Sequence, residues 1–193
     1  MVQFTLIFLA FIIPLAWTPG PVNITLAAVG TTNGFKPSLG LIAGLNVAFL
    51  IQSLLLGFGL IKLFSAYPVI YEIIRFSGIA YLCFLSWRIL NLTLGSKSIK
   101  LSFTNGMMLS FLNPKVYMTL ILMFAQFKAY AEQSEGVILL SFFAMSMFLI
   151  GNSMWCFFGL FLRSFIANEK IFTLQKYFFA LLLFGVALFM AFA

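Results

Sequence analysis

The sequence predicts an all-α polytopic membrane protein with six transmembrane helices in an inverted 3+3 repeat, helices 1 and 4 being broken. Three observations carry this. Hydrophobic residues make up 63% of the 193 positions and charged residues 8%, against about 25% charged in a soluble domain. Four acids and eleven bases do not make a water-exposed surface, so lipid is the main solvent. The apolar residues also fall into six runs, each long enough for the roughly 20 residues that a bilayer crossing takes. Finally, two of these runs carry a proline near mid-length, half a chain apart.

The runs are Gln3–Val29, Ser38–Leu63, Ile70–Leu90, Phe103–Phe127, Gly136–Phe165 and Leu174–Phe192. They are continuous and rich in Leu, Phe and Ile. A β-barrel would instead alternate apolar and polar residues in segments of about 10. Connections between runs are short, which leaves no room for a soluble catalytic or nucleic-acid-binding domain. Residues 1–193 therefore read as a single transmembrane domain, with repeat halves at about 1–95 and 96–193. The first run has no basic leader and no small-x-small site, so it is expected to remain a membrane helix rather than a cleaved signal peptide.

The net charge of +7 does not point to nucleic acid, because the bases sit at helix ends. Lys36, Arg88, Lys97, Lys100, Arg163, Lys170 and Lys176 fall on one side of the six-helix plan. Lys62, Arg75 and Lys128 fall on the other. Seven against three places both termini outside the cytoplasm, in the periplasm of a bacterial inner membrane. The chain has no His and no Asp. A Ser-His-Asp triad is excluded, a metal site nearly so, and no cofactor is expected. Cys83 and Cys156 lie inside helices 3 and 5 as packing residues.

The breaks are the most informative feature. Helix 1 contains Thr18-Pro19-Gly20-Pro21, and helix 4 contains Asn113-Pro114-Lys115. Helix 4 comes three spans after helix 1, an odd number, so the broken helices cross in opposite directions. A proline inside a helix removes a hydrogen bond and pushes the preceding residue out of the helical region. Thr and Asn are good N-caps, and proline suits the first helical position. Each break thus reads as the start of a half-helix at mid-membrane; in helix 1 the restart is at Thr18-Pro19 or at Gly20-Pro21. Such a start offers free N–H groups and a partial positive charge, suited to a carboxylate.

Polar residues gather near these breaks. Lys115 is the one charge well inside an apolar run. It is suited either to neutralise an anionic group or to fill a gap among the carbonyls that Pro114 frees. Asn23 lies one turn past the first break. Asn46, Asn152 and Trp155 lie in helices 2 and 5, and Gln52 reads as inter-helix glue. Gly40-Leu41-Ile42-Ala43-Gly44 is a small-residue motif for close packing. No carboxylate lies deep inside any run, Glu72 standing two residues from the start of its own, which favours a neutral zwitterionic or anionic ligand over a cation.

The same residues carry a family resemblance. Thr18-Pro19-Gly20-Pro21-Val22-Asn23-Ile24, then Asn33-Gly34-Phe35, resembles the first-helix signature of the LysE/RhtB amino-acid exporters. Ala43-Gly44-Leu45-Asn46 with Gly57-Phe58-Gly59 is similar to that family's second helix, and Gly78-Ile79-Ala80-Tyr81-Leu82 to its third. Phe111-Leu112-Asn113-Pro114-Lys115 matches its fourth-helix N-P-K, so the resemblance covers essentially the whole chain. Gly151-Asn152 with Trp155 is most similar to the cysteine/O-acetylserine exporter branch. Some relatives carry Asp where this chain has Asn46 and Asn152, which puts proton coupling through such an acid in doubt.

The resemblance implies proton-driven efflux of a small neutral amino acid of the cysteine, O-acetylserine, threonine or homoserine type. The expected binding residues are Thr18, Pro19, Gly20, Pro21, Asn23, Asn46, Asn113, Pro114, Lys115, Asn152 and Trp155. A homodimer is a further expectation. The competing readings are an exporter of another small metabolite or ion and, behind it, a non-transporting membrane subunit.

Overall fold

A computed structural model describes residues 2–18, 20–60, 68–91, 101–163 and 169–192. Pro19, Lys62, Lys97 and Lys100 lie outside the described residues. All regular structure among the described residues is helical. We number the helices α1 (Val2–Trp17), α2 (Pro21–Asn33), α3 (Phe35–Leu55), α4 (Pro68–Leu90), α5 (Phe103–Phe111), α6 (Pro114–Gln126), α7 (Lys128–Ala131), α8 (Ser134–Arg163) and α9 (Glu169–Phe192).

Both expected breaks are present. Gln3–Trp17 and Pro21–Asn33 meet at 61°, and Phe103–Phe111 and Pro114–Gln126 at 63°. Phe35–Gly59 and Ser134–Arg163 are each long and apolar enough to cross a bilayer alone, and each bent pair is so if counted as one span. α3 runs on through one π-helical turn at Leu56–Leu60, where Gly59 takes φ 137°, a conformation that glycine adopts without strain.

The breaks divide the packing into two cores. One gathers Leu26, Ala27, Leu41, Leu45, Leu85, Cys156 and Phe179, so it ties α2 and α3 to α4, α8 and α9. The other gathers Phe8, Ile12, Phe49, Leu120, Met123 and Leu140, and ties α1 and α6 to α3 and α8. Outward faces stay apolar: Leu6, Phe76, Met118, Phe161 and Leu181 are all exposed. In water that surface would be a severe liability; against lipid it is the expected one.

Glycines set the closest approaches. A Cβ on Gly30 would lie 2.1 Å from the Cys156 carbonyl oxygen, and one on Gly159 would lie 2.0 Å from that of Ala27. α2 and α8 therefore touch backbone to backbone. α3 and α5 do the same, since a Cβ on Gly44 would run into Phe103 O and one on Gly106 into Leu41 O. Of the Gly40/Gly44 motif, only Gly44 makes the tight contact; the nearest atom to a Cβ on Gly40 is 3.7 Å away.

Candidate functional site

A helix end leaves its last carbonyls without intrahelical donors, and inside a membrane each must find a substitute. At the first break, side chains from three other helices and Thr18 itself supply them. Leu15 O accepts from Thr18 Oγ1 at 3.4 Å, and Ala16 O accepts from Asn23 Nδ2 at 3.1 Å. Trp17 O accepts from Trp155 Nε1 at 3.1 Å. Thr18 O accepts twice, from Asn23 Nδ2 at 2.8 Å and from Lys115 Nζ at 3.0 Å. Lys115 Nζ also reaches Thr18 Oγ1 at 2.9 Å. A cation thus sits on the negative end of the α1 dipole, where it is favoured.

The restart lies at Gly20-Pro21, the second of the two positions that the sequence allows. Gly20 is the N-cap, extended at φ −160°, and Pro21 stands in the first turn. Glycine caps well but offers no side-chain acceptor, and this helix start has none. Its first intrahelical bond runs from Ile24 N–H to Gly20 O at 2.9 Å. The N–H groups of Val22 and Asn23 precede that bond.

The second break is closed differently. Asn113 is the N-cap expected from the sequence, and its Oδ1 accepts from Lys115 N–H at 3.1 Å. Pro114 cannot donate to Ser110 O. That carbonyl instead receives Gln52 Nε2 at 3.2 Å and Asn113 N–H at 3.1 Å. Ser110 Oγ donates back to Gln52 Oε1 at 2.7 Å. Phe111 O accepts from the Tyr117 hydroxyl at 3.0 Å. Every group here is neutral, and Gln52, Ser110 and Asn113 are buried.

Between the breaks lies a cavity of about 20 Å³, room for one or two waters. Gly20, Pro21, Asn23, Asn113, Lys115 and Asn152 line it, together with Ala16, Val22, Leu45, Phe49, Ser110, Val116 and Phe148. Six of the eleven residues singled out in the sequence thus converge from α2, α6, α8 and the break loops. Thr18 and Pro114 adjoin through their bonded neighbours, and Pro19 lies outside the described residues. Asn46 is buried beside the cavity rather than in its lining. Its Nδ2 donates to Ile42 O in its own helix at 2.7 Å, and its Oδ1 is buried without a hydrogen bond. Gly20 has a steric role: a Cβ there would stand 3.1 Å from Lys115 Nζ.

Trp155 turns away from this cavity. It lines a second, open and apolar one of about 290 Å³ with Trp17, Gly151, Met154 and Phe158. The two tryptophans latch α1 to α8 reciprocally, since Trp17 Nε1 donates to Met147 O at 3.3 Å. Gly151 makes the notch: a Cβ there would meet Trp17 Cδ1 at 2.7 Å. Sequence reasoning missed Trp17, Ser110 and Tyr117. Their positions carry no spacing signal of their own, but each lies within a few residues of a break, where a freed carbonyl calls for a donor. Among the described residues no three His, Cys, Asp or Glu side chains cluster as metal ligands.

Comparison with known proteins agrees with this architecture. The model of the LysE type translocator family matches residues 13–193. A cysteine/O-acetylserine efflux protein of Salmonella typhi is 29% identical over 155 residues, covering 78% of this chain and 80% of the relative. The protein of that name from Klebsiella pneumoniae subsp. pneumoniae is 29% identical over 167 residues, covering 82% and 84%. That from Escherichia coli O157:H7 is 33% identical over 104 residues, about half of each chain. No solved structure matches. With its breaks, its apolar helices and a family match that covers nearly all of its length, the chain belongs to the LysE-type translocator family.

Proposed function

We propose that this translocator exports small neutral amino acids of the cysteine, O-acetylserine, threonine or homoserine type across the bacterial inner membrane. In this reading the chain is one domain of six spans, and α4 and α9 complete the set. At 23 and 24 residues and about 1.5 Å per residue, both are long enough to cross. The carrying observation is that two mid-span breaks, half a chain apart, converge on one small cavity lined by Asn23, Asn113, Lys115 and Asn152.

The inverted repeat rests on the pairing of helices. The first broken helix packs through α2 on α8, the second packs through α5 on α3, and α4 packs on α9. Exchanging the two halves leaves that set unchanged span for span, although α2 follows its break and α5 precedes its own. The donors cross over likewise, because Trp155 in the second half serves the first break and Gln52 in the first half serves the second. Alternating access then amounts to one half rocking against the other around the cavity. A cavity that holds one or two waters is a closed state, and an amino acid enters when the halves part.

Charge at the bundle ends supports periplasmic termini. The position of a Cβ on Gly34, two residues from Lys36, is 3.9 Å from Arg163 Nη1, so these bases share one end. At the other, Phe4 of α1 packs on Tyr130, ring centroids 4.4 Å apart, beside Lys128 and Glu132. The basic end is the cytoplasmic one. The proton gradient is the proposed energy source.

Efflux from cells preloaded with labelled amino acids tests this. The comparison is between the native chain and Pro19→Ala/Pro114→Ala, with and without an uncoupler. Faster loss of cysteine, O-acetylserine, threonine or homoserine with the native chain alone, abolished by uncoupler, is expected. No difference for any amino acid, with the protein in the membrane, would transfer the assignment to another metabolite or ion.

A further inference from the structure

We infer that the carbonyl end of α1 is the subsite for the substrate's α-ammonium group, and that Lys115 occupies it when no substrate is bound. This rests on the reading of the cavity as an amino-acid site. A zwitterion needs a negative partner for its ammonium pole, and no Asp or Glu lies deep inside any of the apolar runs, Glu72 standing two residues from the start of its own. The negative group that borders the cavity is the helix end itself, whose carbonyls carry a partial negative charge. An ammonium already sits on it: Lys115 Nζ holds Thr18 O at 3.0 Å and Thr18 Oγ1 at 2.9 Å.

The seat is built for that group. Gly20 leaves the space that Nζ and Cδ of Lys115 fill, its own Cβ position being 3.1 and 3.2 Å from them. Asn23 Nδ2, which shares Thr18 O, helps to fix that carbonyl in place. The second break shows the contrast. Its freed carbonyls, Ser110 O and Phe111 O, are served by neutral donors from Gln52 and Tyr117.

Substrate entry is then an exchange of partners. The substrate carboxylate draws Lys115 Nζ off Thr18, and the substrate ammonium takes the vacated oxygen atoms. At either stage each ammonium keeps an oxygen partner, which the cost of a bare charge in the membrane demands. Selectivity follows. A primary amine without a carboxylate has nothing with which to displace Lys115, and an N-acylated amino acid has no ammonium to offer.

The test measures binding of cysteamine, a primary amine lacking the carboxylate, and of L-cysteine to the purified full chain in nanodiscs. Native protein is expected to bind L-cysteine and to bind cysteamine poorly. Lys115→Met vacates the subsite without adding charge. It should gain cysteamine affinity by about tenfold or more, the worth of a charge-assisted hydrogen bond, while losing affinity for L-cysteine. Gly20→Ala, which crowds Nζ and leaves an extended residue any side chain can adopt, should shift both ligands in the same directions by a smaller factor. It serves if Lys115→Met fails to insert. Unchanged cysteamine binding in the inserted variants would overturn the inference even where native protein binds L-cysteine. A native protein that binds no amino acid would overturn the functional reading instead, and the amine result would still decide the subsite.

Discussion

The two breaks solve one problem by different means. At the first, the carbonyl end of α1 is held by Asn23, Trp155 and a charged Lys115, and the new helix begins on a glycine with no side-chain cap. At the second, Gln52, Tyr117 and Asn113 close both helix ends with neutral groups from a buried network. Neutral hydrogen bonds among buried partners are fixed furniture, costly to open. A cation on a carbonyl at the edge of a cavity can exchange partners. The first break therefore reads as the working one and the second as its anchor, although Lys115 is supplied by the anchor. That residue couples the two halves across 97 positions of sequence.

Variants separate the two roles. The largest effect is expected from Gly159→Val, which drives side-chain atoms into the Ala27 backbone and parts α2 from α8. Overpacking of this kind costs about 1–3 kcal/mol or more, and here it displaces the first break bodily, so inserted, heat-stable protein in detergent should be largely lost. Lys115→Met should insert normally but lower efflux by roughly 10–100-fold, the worth of one or two charge-assisted hydrogen bonds. Gln52→Ala should do the reverse. It strands Ser110 Oγ and deprives Ser110 O of a donor in a buried site, lowering thermal stability by about 1–3 kcal/mol with efflux per inserted molecule retained. Trp155→Phe removes one neutral bond to Trp17 O at a partly buried position, worth about 0.5–1.5 kcal/mol, and should loosen α1 without changing which amino acids are carried. Gly40→Ala, with its nearest neighbour 3.7 Å away, should be nearly silent in both assays, whereas Gly44→Ala should not.

Much of this is legible in the amino-acid sequence. Six apolar runs, two proline breaks and their half-chain spacing follow from composition and from what proline does to a helix. Asn113 was legible as a cap because Asn-Pro-Lys places the capping oxygen and the missing N–H in adjacent residues. The first restart was not settled, because Thr18-Pro19 and Gly20-Pro21 are both sound local solutions; the glycine gives Lys115 its room, and only the fold supplies Lys115. Its destination was hidden for the same reason. The sequence left open an anionic group or the carbonyls freed by Pro114, its own neighbour, but Gln52 and Tyr117 already serve those carbonyls, and the lysine reaches the other break. The Trp17–Trp155 latch depends on the rotation of α8 about its axis, which a helix apolar on most of its faces does not reveal.

The most direct measurement is efflux of labelled O-acetylserine from cells making the native chain, Lys115→Met or Gln52→Ala, each normalised to inserted protein. The account predicts that Lys115→Met falls towards the background of cells lacking the protein while Gln52→Ala stays near native. Equal losses in the two variants, or native efflux from Lys115→Met, would contradict it.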